Sequence, residues 1–272
     1  MDDSYLIFFM ENKGEIVAGG NGWGNELNQL ARPLCLCVNN DETVYVSDHL
    51  NNRIMEWRTG STSGRIFAND LQGPLQIVIE KQPDCFLVCD YFNRRIVRCS
   101  SQGNTETILS DVNCTGLALD DKGYMYIADQ YKHEVRKWKI GEHDEGILVA
   151  GGNGNGDRLD QLFCPRNLVI DRNESLYIFD CGNQRIVKWD KNARQGHPIV
   201  TLWDIGGIAI DRFGDFYFSD RYEQKIINRT KNTQFNITGI ASRDLCFDRY
   251  NHLYVLDYDN QRVVKFHSTE NL

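Results

Sequence analysis

The sequence predicts an all-β protein, a six-bladed β-propeller with four antiparallel strands in each blade. The first observation behind this prediction is a repeat, because the segment 176–189 recurs with changes at six places along the chain. Each copy has an aspartate at the same position, and the spacings of 42, 39, 51, 40 and 37 residues are typical of propeller blades. These residues, named here the ladder aspartates, are Asp48, Asp90, Asp129, Asp180, Asp220 and Asp257.

The second observation is that columns of similar residues accompany the ladder aspartates. A tyrosine stands three residues before the aspartate in five of the six copies, and a cation stands five residues after it in five copies. We interpret each aspartate as a group that ties a turn and pairs with the following cation, so that its role is structural. The third copy departs from this pattern with Glu134. The arginines to which we assign this structural role are Arg53, Arg95, Arg185 and Arg262.

The third observation is the strand pattern within each copy. An apolar run at 168–170 is followed by a turn, an alternating segment at 176–179 and a further strand at 185–189. A more variable fourth strand follows, as at 146–150. Four such strands repeated six times, without helical periodicity, indicate a propeller.

The two ends of the chain predict how the last blade is completed. The sixth copy ends at Phe266 and lacks a fourth strand, whereas residues 15–18 form a fourth strand that no complete copy precedes. We therefore predict that residues 16–18 form the outer strand of the last blade beside residues 263–266, which covers an exposed sheet edge. The expected organisation is a leader at 1–13 and a single propeller at 14–272.

Two glycine-rich segments mark connections between blades. Residues 17–33 recur at 149–165 without a gap and with eleven identities in seventeen positions. Neither copy has the Lys-Ser/Thr pair of a phosphate-binding loop or opens a helix. We interpret both as connections from a fourth strand to the next first strand, where glycine supplies positive φ angles.

The repeat resembles a known family. The Tyr-x-x-Asp column, Asn183, Arg185 and the Ile-Val-x-Trp ending resemble the NHL repeat, and the Ala-Gly-Gly-Asn-Gly segments are similar to those that join such repeats. The resemblance covers residues 14–266 and implies an NHL propeller, as in the C-terminal domain of TRIM-type ubiquitin ligases, in bacterial sensor-kinase ectodomains and in the peptidyl-hydroxyglycine amidating lyase. Because one fold hosts many functions, the resemblance implies a fold more strongly than an activity.

The bulk composition restricts the class of partner. A net charge of -8 and a pI near 5.3 argue against nucleic acid as the default partner. The early apolar run at 5–10 is too short for a signal peptide or a membrane span, so we expect a soluble chain. The compartment stays open, because nine cysteines, an odd number, favour reduced structural thiols, whereas four Asn-x-Ser/Thr triplets would be glycosylation acceptors in a secreted protein.

The sequence offers few candidate residues for an enzymatic site. The six histidines share no column, and only His49 and His133 closely follow ladder aspartates, whereas the amidating lyase that the repeat resembles holds zinc with three histidines. In lactonase-type propellers, oxygen ligands at the starts of inner strands hold a divalent cation. The matching positions here supply two such residues, Asn167 and Asp244, fewer than such a site needs. We therefore assign no catalytic residue, metal or cofactor.

The most variable positions of the repeat indicate a binding surface. The two residues after each ladder aspartate differ from copy to copy and are rich in aromatic side chains, which are common in binding hot spots. The alternative is that these rings pack against neighbouring loops. We expect the rings of the second, third, fifth and sixth copies to share one face around the channel mouth. The predicted binding residues are Trp23, His49, Tyr91, Phe92, Arg94, Tyr131, Arg221, Tyr222 and Tyr258.

The sequence thus predicts a monomeric, non-catalytic recognition propeller that binds a protein or peptide. Three alternatives remain open at this point. They are a metal-dependent hydrolase or lyase with its site in the central channel, a protein that binds single-stranded RNA, and the substrate-recognition part of a ubiquitin ligase.

Overall fold

The computed structural model describes residues 14–80, 85–101, 104–142 and 144–268. These residues form six four-stranded antiparallel sheets, which define the predicted all-β, six-bladed β-propeller. The chain divides into two compact units. Among the described residues, the first unit comprises 14–67 and 204–268, and the second unit comprises those between 68 and 203. The expected leader at 1–13 lies outside the described residues.

The first unit contains blades 1, 5 and 6. Buried aliphatic and aromatic side chains, among them Trp57, Tyr254 and Leu256, form two hydrophobic clusters among its described residues. Its strands are β1 (Glu15–Gly19), β2 (Pro33–Val38), β3 (Val44–Asp48), β4 (Arg53–Trp57), β5 (Arg65–Ala68), β18 (Ile205–Ile210), β19 (Phe216–Asp220), β20 (Lys225–Asn228), β21 (Thr233–Asn236), β22 (Ser242–Phe247), β23 (Leu253–Asp257) and β24 (Arg262–Phe266).

The predicted completion of the last blade is confirmed. Strand β1 pairs antiparallel with β24, with Glu15 opposite Lys265 and Ile16 opposite Val264, so blade 6 has the order β1-β24-β23-β22. The N-terminal strand covers the backbone N–H and C=O groups of β24 that would otherwise present an open edge.

The second unit contains blades 2, 3 and 4. Each blade packs alternate strand residues into clusters that include Leu117, Ile127, Ile178 and Trp189. Its strands are β6 (Pro74–Ile79), β7 (Cys85–Asp90), β8 (Arg95–Ser100), β9 (Thr105–Ser110), β10 (Cys114–Leu119), β11 (Tyr124–Asp129), β12 (Glu134–Lys139), β13 (Ile147–Gly151), β14 (Pro165–Ile170), β15 (Leu176–Asp180), β16 (Arg185–Trp189) and β17 (His197–Thr201).

One cysteine pair departs from the reduced thiols that the odd cysteine count favours. Cys89 at the end of β7 and Cys114 at the start of β10 form a disulfide, with their Cα atoms 5.5 Å apart. Both side chains are buried between adjacent blades of the second unit. An odd cysteine count leaves room for one such pair, and the two residues are too far apart in sequence for spacing to reveal it. The other seven cysteines form no disulfide.

The turn between the second and third strands has the same shape in every blade. The ladder aspartate pairs directly across the hairpin with the residue five positions on, as in Asp48 opposite Arg53. Four residues form the turn, and the last of them adopts a left-handed conformation with φ between 50° and 55° in each blade. Those six residues are Asn52, Arg94, His133, Gln184, Gln224 and Gln261.

No helix among the described residues is long and apolar enough to cross a membrane.

Candidate recognition surface

Four ladder aspartates each accept several hydrogen bonds at the base of these turns. Asp48, Asp90, Asp180 and Asp257 are fully buried. In each, Oδ2 accepts a bond from the Nε atom of the arginine five residues later, at 2.6 to 2.8 Å. An asparagine three residues on donates to the same oxygen, and a backbone N–H of the preceding connection donates to Oδ1. Each carboxylate therefore joins its turn to the connection that precedes the blade.

In blades 1 and 4 the arginine also fixes the glycine-rich connection. The Arg53 guanidinium donates to the carbonyl oxygens of Asn25 at 2.8 Å and Glu26 at 3.0 Å. Arg185 donates in the same way to the carbonyls of Asp157 at 2.7 Å and Gln161 at 3.1 Å. The guanidinium thus fills the space between the third strand and the connection.

Asp129 and Asp220 depart from this arrangement. Asp129 Oδ1 accepts the N–H groups of Tyr131 at 2.9 Å and Lys132 at 3.0 Å, and Glu134 stands where the other blades have a cation. Asp220 Oδ1 accepts the Glu223 N–H at 3.0 Å. Lys225, five residues after Asp220, lies 3.2 Å from Glu223. The residue five positions on therefore decides whether the ladder aspartate has an arginine partner.

A second aspartate ladder, in the turns between first and second strands, was not predicted from the sequence. Asp211 is typical, because its Oδ1 accepts the Phe213 and Asp215 N–H groups at 2.9 Å and its Oδ2 accepts the Tyr217 hydroxyl at 3.2 Å. The signal was present, since each such aspartate stands six residues before the tyrosine of the repeat. Burial raises the pKa of these tyrosines above the usual value. The pairs are Asp120 with Tyr126, Asp171 with Tyr177, Asp211 with Tyr217 and Asp248 with Tyr254.

Exposed rings gather on the second unit, where the turns of blades 2 and 3 meet. We name Tyr91, Phe92, Gln130 and Tyr131 the blade 2–3 cluster. The Tyr91 and Tyr131 hydroxyl oxygens lie 3.4 Å apart, and Gln130 Nε2 donates to the Tyr91 hydroxyl. The Tyr91 and Phe92 rings contact edge to face, with centroids 5.3 Å apart. Phe92 is 64% exposed and Tyr131 is 65% exposed, so both rings face solvent. Tyr91, which is partly buried, contacts both of them.

The chemistry of Tyr91 fits a residue that positions its neighbours. Partial burial, followed by the hydrogen bond with Tyr131, raises the pKa of Tyr91 to about 12. Its hydroxyl therefore keeps its proton at neutral pH and continues to hydrogen-bond. Beside it, the Arg94 guanidinium is half exposed and lies 3.9 Å from the Asp111 carboxylate. The cluster thus combines apolar ring area with charged groups at its margin.

The predicted binding residues of the first unit have mixed exposure. Tyr222 is 84% exposed and Trp23 is 59% exposed, whereas Tyr258 is half-buried. Arg221 is partly buried and bonds the Asp204 carboxylate at 3.4 Å.

The prediction that His49 belongs to the binding surface is wrong. It begins a short 3-10 helix, His49–Asn51, and its side chain is buried. The N–H of Leu50 bonds the Ala31 carbonyl at 3.2 Å, which draws this turn against the glycine-rich connection. His49 therefore does not present a ring to solvent as predicted.

Two exposed rings of the second unit were not predicted from the sequence. Trp203 is 86% exposed in the connection after blade 4, and Phe163 lies exposed just before blade 4. The Phe163 ring contacts His133, with centroids 5.7 Å apart, so it adjoins the turn that carries Tyr131. The signal available was position alone, because both stand in fourth-to-first-strand connections rather than after a ladder aspartate.

The candidate metal ligands, Asp244 and Asn167, belong to different units. Asp244 is buried, and its Oδ2 accepts the Leu36 N–H at 3.0 Å in the first unit. Asn167 is partly buried in β14 of the second unit. Across the part of the chain that the structure describes, no three His, Cys, Asp or Glu side chains converge closely enough to hold a metal ion.

The fold and these turns define the class of protein, a six-bladed β-propeller, and comparison with known proteins agrees at the level of fold. No protein-family model matches the sequence, and no curated protein matches it. A protein of unknown function from Bacteroides thetaiotaomicron is similar in structure, with a TM-score of 0.75 and 12% identity over 94% of this chain and 75% of that chain.

Two enzymes are also similar in structure. A gluconolactonase from Xanthomonas campestris has a TM-score of 0.71 and 14% identity over 97% of both chains. Virginiamycin B lyase from Staphylococcus aureus has a TM-score of 0.62 and 14% identity over 91% of this chain and 88% of that chain. At such identities, these similarities establish the fold alone.

Proposed function

We propose that this protein is a non-catalytic recognition propeller of the NHL type that binds a protein or peptide through the blade 2–3 cluster. The observation that carries the proposal is the exposure of Phe92 and Tyr131 on turns fixed from below by buried carboxylates. Rigid aromatic side chains lose little conformational entropy on binding, and they dominate the energy of many interfaces.

The surroundings of the cluster support a polypeptide partner. Arg94 and Asp111 place both charge signs at its margin, and Tyr91 and Gln130 supply hydrogen-bonding groups within it. An apolar centre with a polar, solvent-accessible margin is the usual anatomy of a protein interface. If the chain is the substrate-recognition part of a ubiquitin ligase, the same surface selects the substrate.

Selection from a displayed peptide library against the purified protein tests the proposal, because it does not require the natural partner to be identified. Binding of a selected peptide is then mapped by the changes that it causes in the NMR signals of aromatic side chains. We expect the largest changes at Phe92, Tyr91 and Tyr131. Changes confined to other residues, with these three unaffected, would reject the proposed surface.

The RNA alternative predicts a different response. Single strands stack bases on exposed rings, but phosphate contacts make their binding strongly dependent on salt. The net charge of -8 opposes such contacts. The RNA hypothesis predicts that an unstructured oligonucleotide binds at low salt and more weakly at high salt. Recognition of a polypeptide predicts no binding of the oligonucleotide at either salt concentration. A titration at low and high salt therefore separates the two hypotheses.

A further inference from the structure

Blade 3 lacks the cation that four of the other blades place beside the ladder aspartate. In blades 1, 2, 4 and 6 an arginine Nε atom donates to Oδ2 of the aspartate. In blade 3 the equivalent residue is Glu134, which lies directly opposite Asp129 in the pairing of β11 with β12. Both carboxylates are buried, so two acidic groups occupy a position built elsewhere for an ion pair.

The space that a connection fills in blades 1 and 4 is open in blade 3. There, the glycine-rich connections lie against the third strand and receive bonds from Arg53 and Arg185. The connection before blade 3 consists only of residues 111–113, between β9 and β10. A groove of about 380 Å³ remains beside β12, and the buried residues Asp129 and Glu134 are among those that line it.

The groove has an apolar wall and an acidic rim. Ile127 and Trp138 are buried side chains of its lining, and the Trp138 indole donates to the Asp144 carbonyl at 3.2 Å. Asp144 and Glu145 lie exposed at the rim. An elongated side chain with apolar methylene groups and a cationic end would contact both parts.

The two cations that line the groove do not neutralise the negative charge of its carboxylates. Five carboxylates and two cations, Lys132 and Arg136, contribute to the groove. Arg136 is held by Glu134 Oε1 at 2.8 Å and by the carbonyls of Glu145 and Gly146 at 3.2 and 3.0 Å. Asp129 accepts only backbone N–H bonds from described residues. The groove therefore retains negative charge beside a buried carboxylate to which no described residue donates a cationic hydrogen bond.

We propose that the blade 3 groove binds an arginine side chain of the polypeptide partner, with its guanidinium beside Asp129 and Glu134. This inference rests on the proposed function and specifies the chemistry of the partner. The other blades provide the template, because the carboxylate of the ladder aspartate binds a guanidinium in four of them. A planar guanidinium has five donors and can bond two carboxylates at once, which a lysine ammonium does less specifically.

The groove is continuous with the blade 2–3 cluster. Tyr131 and Lys132 belong to the turn that follows Asp129, and Lys132 lines the groove. Asp111 lines the groove and contacts Arg94, whose carbonyl accepts the Val112 N–H at 3.1 Å. A single partner segment can therefore place a residue on the rings and its arginine in the groove.

Titration of the full chain with blocked Gly-Arg-Gly and Gly-citrulline-Gly peptides tests the inference. Citrulline has nearly the shape of arginine but is neutral. The reporter is the NMR signal of the Trp138 indole N–H, assigned with a Trp138→Phe variant. We expect the arginine peptide to shift this signal and to bind at least about tenfold more tightly than the citrulline peptide, because hydrogen bonds between charged groups are the stronger ones.

Variants sharpen the test. Glu134→Gln should weaken the arginine peptide at least about tenfold, whereas Glu142→Gln, which removes an exposed acid of the same blade outside the groove, should leave its affinity unchanged. Because the citrulline comparison needs no variant, the inference stays falsifiable if Glu134→Gln fails to fold. Equal binding of the two peptides, an unmoved Trp138 signal, or a shift caused by calcium chloride but not by the arginine peptide would overturn it.

The outcome is separable from that of the proposed function. If selected peptides need Phe92 and Tyr131 but bind equally with arginine or citrulline, arginine binding in the groove is rejected. Recognition through the blade 2–3 cluster is then still supported. If arginine binds in the groove but neither Phe92→Ala nor Tyr131→Ala affects any selected peptide, recognition through the blade 2–3 cluster is rejected. Arginine binding in the groove is then still supported.

Discussion

The Nε atom of Arg185 lies 2.7 Å from Oδ2 of Asp180, and the two side chains are 9% and 0% exposed. The same carboxylate accepts the Phe163 N–H at 2.6 Å and the Asn183 side-chain amide at 2.8 Å. One buried group thus joins two strands, a turn and the preceding connection. Its removal leaves a buried cation and several donors without a partner.

The first prediction concerns this pair. Asp180→Ala should lower the free energy of unfolding by about 3 to 5 kcal/mol, because the Arg185 guanidinium would remain buried and uncompensated. Urea unfolding measures the loss. Asp160→Ala is the matched control, since the Arg158 side chain opposite it is 70% exposed, and we expect a loss of at most about 1 kcal/mol. A similar loss for both variants would contradict the structural role assigned to Asp180.

The second prediction concerns the second aspartate ladder. Tyr217→Phe should cost about 1 kcal/mol, the usual net value of one hydrogen bond, and Asp211→Ala about 2 kcal/mol or more, because two backbone N–H groups also lose their acceptor. The double variant should cost less than the sum of the two, since the groups share one bond. Strict additivity in urea unfolding would show that the Tyr217 hydroxyl does not depend on Asp211.

The third prediction concerns pH. Hydrogen bonds from Lys122 and Lys191 lower the pKa of Glu174 to about 2. A carboxyl with a lowered pKa in the folded state stabilises it fully above the pKa of the unfolded state, about 4.3. This stabilisation is lost as the pH falls through the folded pKa.

The difference in melting temperature between the wild type and Glu174→Gln should therefore be constant above about pH 5 and shrink towards zero near pH 2. Thermal unfolding at a series of pH values measures it. A difference that is unchanged at the lowest pH would show that Glu174 acts through packing rather than through its charge.

The repeat explains why much of the fold was predictable. Spacing and column identity place Asp180 opposite Arg185, because a four-residue turn puts these positions across from each other in every blade. The N-terminal outer strand followed from the missing strand of the last blade. The second ladder was equally present in the sequence, but its aspartates stand in turns, where such residues are common for many reasons.

Exposure was less predictable than pairing. His49 and Tyr91 occupy the same position of the repeat, yet His49 is buried and Tyr91 is only partly so. The difference depends on the connection that packs against each turn, which the repeat does not encode. The groove of blade 3 arises in the same way, from a short connection and the single change to Glu134. Its signal was the departure from the cation column, and its volume became evident only in three dimensions.

The fourth prediction tests the alternative of a metal-dependent hydrolase or lyase. After dialysis, metal analysis should find no stoichiometric zinc or calcium, because the Asp244 carboxylate already bonds the Leu36 N–H and one such oxygen ligand does not make a cation site. Addition of either ion should leave the thermal transition in place. A retained divalent ion at one per chain would favour the enzymatic alternative.

The most direct measurement is the dissociation constant of a selected peptide for the wild type and for Phe92→Ala/Tyr131→Ala. Both rings are exposed, so their removal should scarcely move the thermal transition. Phe213→Ala, which removes an exposed ring from a turn between first and second strands, is the control. We predict that the double variant binds at least about tenfold more weakly and that the control binds like the wild type. Equal affinity of the folded double variant and the wild type would contradict recognition through the blade 2–3 cluster.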